Sequence, residues 1–245
     1  GGADLNLRFG GGAYEVGGFA GFSHVTGDPA AILRVQQHPA HFLQRPDATE
    51  FHLDSTRTSL TGWSAAIRAS KNSGKHWLWD VDVSGESPLL DLNDVGRLQS
   101  ADDIDAAARL RYRETQPGRL FHRWSSNLFF GEGWNFGGIH TYTSTALGNS
   151  FTLNNFWQLF LGAYGDTRAL SDDLTRGGPL MGRPGDWGGD FQLSGNEGKP
   201  VNWSVGLGDR AQAQLQGEFA RIGWEAVALA ASQWIDNDRP ARPRP

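Results

Sequence analysis

Arg109, Arg111 and Arg113 stand two residues apart in the stretch Asp103–Arg113, whose other parity carries Ile104, Ala106, Ala108, Leu110 and Tyr112. Asp80 and Asp82 stand in the same way among Trp77, Trp79, Val81 and Val83. Period-two alternation is the signature of a strand, because successive side chains of a pleated chain point to opposite faces. A row of guanidinium groups can do one of two things on such a face. It can line an anion-selective path, since rings of charge set pore selectivity. Or it can pair with Asp80, Asp82 and other interior acids, holding a plugged barrel shut. The second carries more weight, because buried charges must be paired to be tolerated.

A second group lies in Ser171–Met181, where Asp172, Asp173, Arg176, Gly177, Gly178 and Met181 make a long, polar, glycine-bearing loop. Loops of this length without regular structure are usually functional or disordered. The expectation is a constriction folded into the lumen, or a ligand site at the mouth, weighed evenly against an ordinary exposed loop. Other patterns carry less. His38 and His41, with Glu50 or Asp47, form only a His-x-x-His with no supporting zinc motif. Asp91, Asn93 and Asp94 lack the closing acid of an EF-hand, so an Asx turn is the better reading. Ser23-His24 fails the nucleophile-elbow spacing at position 25. Gly10-Gly-Gly12 precedes no helix and reads as a turn. Asp172 and Asp173 as a glycosidase pair would need a cleft that the sequence does not place. No catalytic residue, metal site or cofactor is assigned.

The elements that must position these residues are strands. Leu5, Leu7 and Phe9 mark a first, and Tyr14, Val16, Ala20 and Phe22 a second, with Phe19 on its polar side. A connection from Thr26 to about Arg57 holds one short helix, capped by Asp28 with Pro29 at its first position. Thr58–Ser70 is the third strand and Trp77–Ser84 the fourth, with Leu78 among its polar set. Glu86–Asp102 connects to the arginine-bearing fifth. Leu120 to Phe130 is the sixth, followed by a glycine-aromatic loop, Gly131–Phe136. Ile139–Ser144 is the seventh, Phe151–Leu161 the eighth, Trp187–Ser194 the ninth and Val201–Gly208 the tenth. The loop from Gly165 to about Asp186 separates the eighth and ninth.

Connection length has a parity. Turns after strands one, three, five, seven and nine are short; those after two, four and eight are long; that after six is intermediate. Short turns at one end and long loops at the other are expected of an up-and-down outer-membrane barrel. Greek-key sandwiches have no reason to keep that parity, and no four-strand propeller repeat is present.

Composition agrees. Hydrophobic residues make up 38% of 245 and mean hydropathy is −0.46, far from what a membrane helix requires. Alternating membrane strands average to such values. The 33 glycines suit turns and close packing, and the 10 tryptophans suit interfacial belts rather than sugar stacking, because they sit mostly on the apolar parity. A net charge of −5 argues against a nucleic-acid partner. The absence of cysteine excludes a disulfide framework and thiolate metal sites.

The fold expected is therefore all-β: an antiparallel up-and-down transmembrane β-barrel of about ten strands over residues 1–210, incomplete in this chain. Residues 211–245 are expected to be a terminal strand or helix followed by a Pro/Arg-rich tail, whose prolines cannot finish a sheet. No signal-peptide pattern opens the chain.

Leu174–Trp187, Ser87–Gly96, and Gly27–Pro29 with Gln44–Asp47 resemble, in the same order, a family of uncharacterised bacterial proteins. Its members carry an N-terminal carbohydrate-binding module of the family-nine type followed by a large outer-membrane β-barrel. The likeness runs over roughly Leu5 to Leu207 and covers the middle of that barrel, without the module. It implies the outer membrane of a Gram-negative bacterium as location and the lipid bilayer as partner. It also implies polysaccharide as a partner held through the N-terminal module. The function expected is a surface anchor or passage element linked to carbohydrate binding. The alternatives are a surface hydrolase with its chemistry in the long loops or the module, and a soluble ligand-binding β protein.

Overall fold

A computed structural model describes residues 1–48, 50–92, 98, 100–212 and 223–225. Ten strands follow one another as an antiparallel meander. β1 (Gly2–Phe9), β2 (Tyr14–Thr26), β3 (Ser59–Lys71), β4 (Trp77–Glu86), β5 (Asp103–Glu114), β6 (Phe121–Trp134), β7 (His140–Leu153) and β8 (Gln158–Asp166) are each bonded to the next. A two-stranded hairpin, β9 (Ala169–Ser171) with β10 (Met181–Arg183), interrupts the chain. The large sheet then resumes with β11 (Asp186–Ser194) against β8 and β12 (Ser204–Gln212) against β11. The three-residue β13 (Gly223–Glu225) pairs with β12.

Among the described residues β1 pairs with β2 alone and nothing joins the two ends, so this sheet is open. The up-and-down order agrees with expectation; closure into a barrel is not observed. The remainder of residues 211–245 lies outside the described residues.

Three local readings are corrected. β7 runs through 148–150 without a turn, so Phe151 and Leu153 end β7 rather than open β8, and the chain turns at 154–157. Gly131–Trp134 is not loop but the end of β6. The Phe129 ring lies across Gly131 and the Tyr142 ring across Gly133, where added Cβ atoms would stand 2.8 Å and 2.3 Å away, so ring packing continues the strand where side chains are lacking. The loop before β11 is partly regular: Ala169, Leu170 and Ser171 pair with Arg183, Gly182 and Met181. Three-residue strands show too little alternation to be recognised from sequence.

The helix α1 (Pro29–Gln36) forms as its caps dictate. The Asp28 side chain accepts from the Ala31 N–H at 2.9 Å, and Pro29 occupies the first turn, where its missing N–H costs nothing. The buried Gln36 amide then donates to the Asp54 carbonyl and accepts from the Asp54 N–H, both at 2.9 Å, fastening the helix to the returning limb of its connection.

Register fixes the faces, since directly opposed residues share one side of a sheet. Leu7, Val16, Ala69, Val81, Ala108, Phe130 and Thr145 form one continuous row across seven strands. Leu128, Leu147 and Ala163 belong to the same face, as do Leu161, Phe191 and Leu207. This apolar face is exposed: Leu7 at 53%, Ile67 at 59%, Val83 at 49% and Leu207 at 49%. The opposite face carries the charges and is the covered one. Among the described residues the buried apolar side chains are Ile32, Ala40, Leu43, Leu60, Leu90, Leu98 and Ala101, and all but Leu60 come from the connections rather than from strands. The pattern is that of a soluble sheet turned inside out.

Candidate functional site: the polar face and its loop cap

Arg109 faces Asp80 across β4 and β5. Its Nη1 donates to Asp80 Oδ2 and to Asp82 Oδ1, each at 2.8 Å, while its guanidinium carbon stands 5.1 Å from the centre of the Phe129 ring. Arg68 of β3 reaches the other Asp80 oxygen at 3.3 Å. Two cations and two carboxylates thus form a ladder over three strands. The parity that puts Asp80 and Asp82 on this face puts Val81 on the other.

Arg111 and Arg113 leave this ladder. Arg111 Nε donates to the Asn127 Oδ1 on β6, and Arg113 Nη2 donates to the Gly74 carbonyl at 3.1 Å. Neither meets a carboxylate among the described residues. Of the three arginines, then, the acids of β4 engage Arg109 directly.

At the long-loop end the polar face is roofed. The β2–β3 and β4–β5 connections pack together through Ala40, Leu90, Leu98 and Ala101. They also lie on the sheet itself. The Trp63 N–H donates to Ser87 Oγ at 2.7 Å and the Asp91 N–H to Ser23 Oγ at 3.0 Å. Gly62 is required here, because a Cβ at that position would stand 2.1 Å from the Leu90 nitrogen. His41 takes part in this roof: its Nδ1 meets the Pro88 carbonyl at 3.0 Å, and its Nε2 lies 3.4 Å from Asp91. A carbonyl only accepts, so that nitrogen carries the proton. His38 instead accepts from the Ala40 N–H. The two histidines do not converge, and among the described residues no group of three or more His, Asp or Glu side chains is placed to hold a metal.

The third long loop closes on the other two through Arg45. Its Nη2 donates to Asp102 Oδ2 at 2.9 Å and its Nη1 contacts Asp172 Oδ2, which also accepts from Asn135 Nδ2 at 2.8 Å. The Phe136 N–H donates to Asp102 Oδ1 at 2.9 Å. Arg45 and Asp102 are nearly buried, with side chains 10% and 9% exposed. Burial pushes the Asp102 carboxyl above its usual range, opposed by the Phe136 N–H and Arg45 and reinforced by Asp172. Around the pair, Asp47, Glu50, Asn135 and Leu180 line a cavity of about 80 Å³.

The loop residues singled out in the sequence divide accordingly. Asp172 enters this cluster. Asp173 turns back onto the Ser171 hydroxyl and takes the Arg176 N–H on its carbonyl, making a local turn. Gly177, at φ +91°, packs against the Gln44 side chain, where a Cβ would overlap Gln44 Nε2. Gly178 donates to the Thr175 carbonyl, and Met181 opens β10, half exposed. Sequence reasoning passed over Arg45, Asp102 and Asn135, which lie on three separate connections. The one local signal was an Asp on the residue before a strand, a residue type that tolerates the left-handed backbone that Asp102 adopts there at φ +68°. Arg68 was missed because it is the one charge inside a strand whose only other charge, Lys71, ends it.

Among the described residues, the Arg45 cluster of Asp102, Asn135 and Asp172 holds no hydroxyl or thiol nucleophile. Arg45 holds Asp102 and Asp172 and so tethers the loops, while Asp47 and Glu50 line the same cavity and Glu86 and Asp103 stand opposite each other in register on the sheet beside it.

A family model described as "Domain of unknown function (DUF5916)" matches residues 30–173, more than half of the chain. The chain belongs to that family. The matched span runs from α1 through β9 to Asp173 and contains the charge ladder and every member of the Arg45 cluster, while Arg176–Met181 lies beyond it. No curated protein matches the chain, and no solved structure does.

Proposed function

We propose that this chain is part of an outer-membrane β-barrel of a Gram-negative bacterium, serving as a surface anchor or passage element. One observation carries the reading. The apolar face of the ten-strand meander is exposed from β1 to β12, whereas the opposite face carries the charges, with the Arg68–Arg109 ladder paired and the long-loop end roofed. In water an exposed apolar surface of that extent is unfavourable, since soluble monomers rarely present contiguous patches beyond a few hundred Å². In a bilayer it is the required arrangement. An open strand edge is intolerable in hydrocarbon, so β1 must pair there with a further strand of the barrel.

Aromatic residues stand where such a barrel meets its interfaces. Phe22 and Trp63, opposed in register, and Trp187 flank the apolar rows toward the long loops. Phe9 with Tyr14, Trp77 with Tyr112, and Trp124 with Phe151 flank them toward the short turns. Rings at two heights with aliphatic side chains between them are the girdles of a membrane barrel. The short turns then face the periplasm and the Arg45-tethered roof faces outward.

The link to carbohydrate rests on the resemblance to barrel proteins bearing a family-nine carbohydrate-binding module, with polysaccharide as the partner of that module. A surface hydrolase is less well supported, because Asp102 and Asp172, the acids that meet between the long loops, are held by Arg45. A soluble ligand-binding protein would need its apolar rows covered.

The test is membrane fractionation of the full-length protein, followed by electrophoresis of heated and unheated outer-membrane samples. A heat-dependent mobility shift in that fraction is the expected result. Recovery in the soluble fraction without a shift would overturn the reading.

A further inference from the structure

The polar face changes character along the strands. Toward the short turns Arg111, Arg113 and Arg123 gather without a carboxylate in ion-pair contact among the described residues, unlike Arg68 and Arg109 one or two rungs away. Arg123 Nε meets only the Thr152 hydroxyl, at 3.3 Å, and the buried Nε of Arg113 has no hydrogen-bond partner. These groups line a cavity of about 460 Å³. The two glutamates at its rim are otherwise engaged. Glu114 lies 3.5 Å from His76 and takes the Gln116 N–H, and Glu197 takes the Gln158 amide.

Register supplies the rest of the lining. Arg113, Ser125, Ser150, Phe160 and Gln192 stand opposite one another across five strands, all on the charged face. The neighbouring rung holds Gly148 opposite Gly162, and the Phe160 ring lies against both, within 3.5 Å and 3.1 Å of where their Cβ atoms would be. Two missing side chains let the ring lie flat along the wall. The cavity therefore offers three guanidinium groups, a row of hydroxyl and amide side chains, and one flat aromatic surface.

We infer that this cavity binds an acidic saccharide, with Arg111, Arg113 and Arg123 taking its carboxylates and Phe160 stacking on a sugar ring. Guanidinium groups match carboxylates in planar, two-pronged hydrogen bonds. Hydroxyl and amide groups satisfy sugar hydroxyls, and the C–H face of a pyranose suits an aromatic ring. The volume is that of a small-molecule site. The inference rests on the barrel reading, because only there does this face line an interior through which a solute passes.

The test is calorimetric titration of the detergent-folded full-length protein with trigalacturonate, maltotriose and inorganic sulfate, with the heat-dependent mobility shift scored on the same preparation. Trigalacturonate should bind at least tenfold more tightly than maltotriose, and also more tightly than sulfate. The double variant Arg111→Gln/Arg113→Gln should weaken trigalacturonate at least tenfold while retaining the mobility shift. Phe160→Leu should weaken trigalacturonate severalfold and leave sulfate unchanged. Equal affinity for maltotriose, sulfate binding as tight as the saccharide, or indifference to the arginine variants would each overturn the site. A preparation that shifts but does not bind overturns the site alone; one that never shifts overturns the barrel reading, and its titration still decides the site.

Discussion

Arg109 and Val81 face opposite sides of the same two-strand ladder. Arg109 sits on Asp80 and Asp82 at 2.8 Å each, and Val81, between those acids in sequence, is 45% exposed on the other face. The pleat therefore separates the electrostatics of the sheet from its hydrophobicity: Val81 and Arg109 meet whatever lies on their own side. A hydrocarbon medium on the Val81 side and a wet interior on the Arg109 side satisfy both.

That relationship predicts an asymmetric response to charge. Val81→Arg should destabilise the protein folded in vesicles by about 2–4 kcal/mol, the cost of a cation near the bilayer midplane. Ala107→Arg, on the polar face beside Asp82, should cost less. Urea unfolding followed by tryptophan fluorescence measures both. Equal, small effects at the two positions would mean that water solvates both faces.

The ladder itself should contribute little. The Arg109 side chain is 47% exposed, so solvent screens its pairs, and Arg109→Ala should cost about 1 kcal/mol or less. A double-mutant cycle with Asp80→Asn gives the coupling directly. A coupling of several kcal/mol would show that the interior is dry and plugged.

Arg45 should behave otherwise. With its side chain and that of Asp102 nearly buried, Arg45→Ala leaves two acids without their cation, and losing one partner of such a pair costs about 3–5 kcal/mol. The loss falls on the loops rather than on the sheet, so the readout is local. Limited proteolysis of the variant should cut within the connections 27–58 and 87–102 much faster than in the wild type, with the heat-dependent mobility shift unaltered.

The same cluster sets a pH dependence. Burial raises the Asp102 carboxyl above the ordinary aspartate value, so between that value and its folded pKa the folded state holds more protons than the unfolded. The slope of stability against pH follows the protons bound unfolded minus those bound folded, and is negative in this window. The Asp102 contribution is present below the unfolded pKa and is lost as pH rises through the folded one. Asp102→Asn should therefore lose less resistance to proteolysis than the wild type as pH rises above the ordinary aspartate range. An identical pH profile in the two proteins would remove Asp102 as the titrating group.

What the chain order could disclose was whatever alternates. Asp103–Arg113 announces its strand, its two faces and its neighbours' spacing, because eleven residues of period two leave one reading. The Asp28–Pro29 helix start was legible for the same local reason. Asp172 stood out only as part of a long polar loop, and its partners Arg45, Asp102 and Asn135 did not stand out at all, because their association depends on how four connections fold over one end of the sheet, and connection paths leave no periodic trace. The β9–β10 hairpin escaped notice at three residues a strand. Arg123 was lost through the register shift between Phe121 and Arg123, which breaks simple alternation at the start of β6.

The girdles give the most direct physical check on orientation in a bilayer. Trp63 and Trp187, at 46% and 57% exposure, stand at the long-loop end of the apolar rows, and Trp77, at 51%, at the short-turn end. Ile104 to Tyr112 on β5 spans eight residue steps, about 27 Å along the strand and less once tilted, which fits a hydrophobic band of about 25 Å. Single-tryptophan variants retaining Trp63 or Trp77 should both be quenched most strongly by lipids brominated near the headgroup. A tryptophan placed at Val81 between them should be quenched most by lipids brominated deep in the chain. Shallow quenching at position 81 would mean that the apolar rows lie along the membrane surface, and the strands would not then cross it.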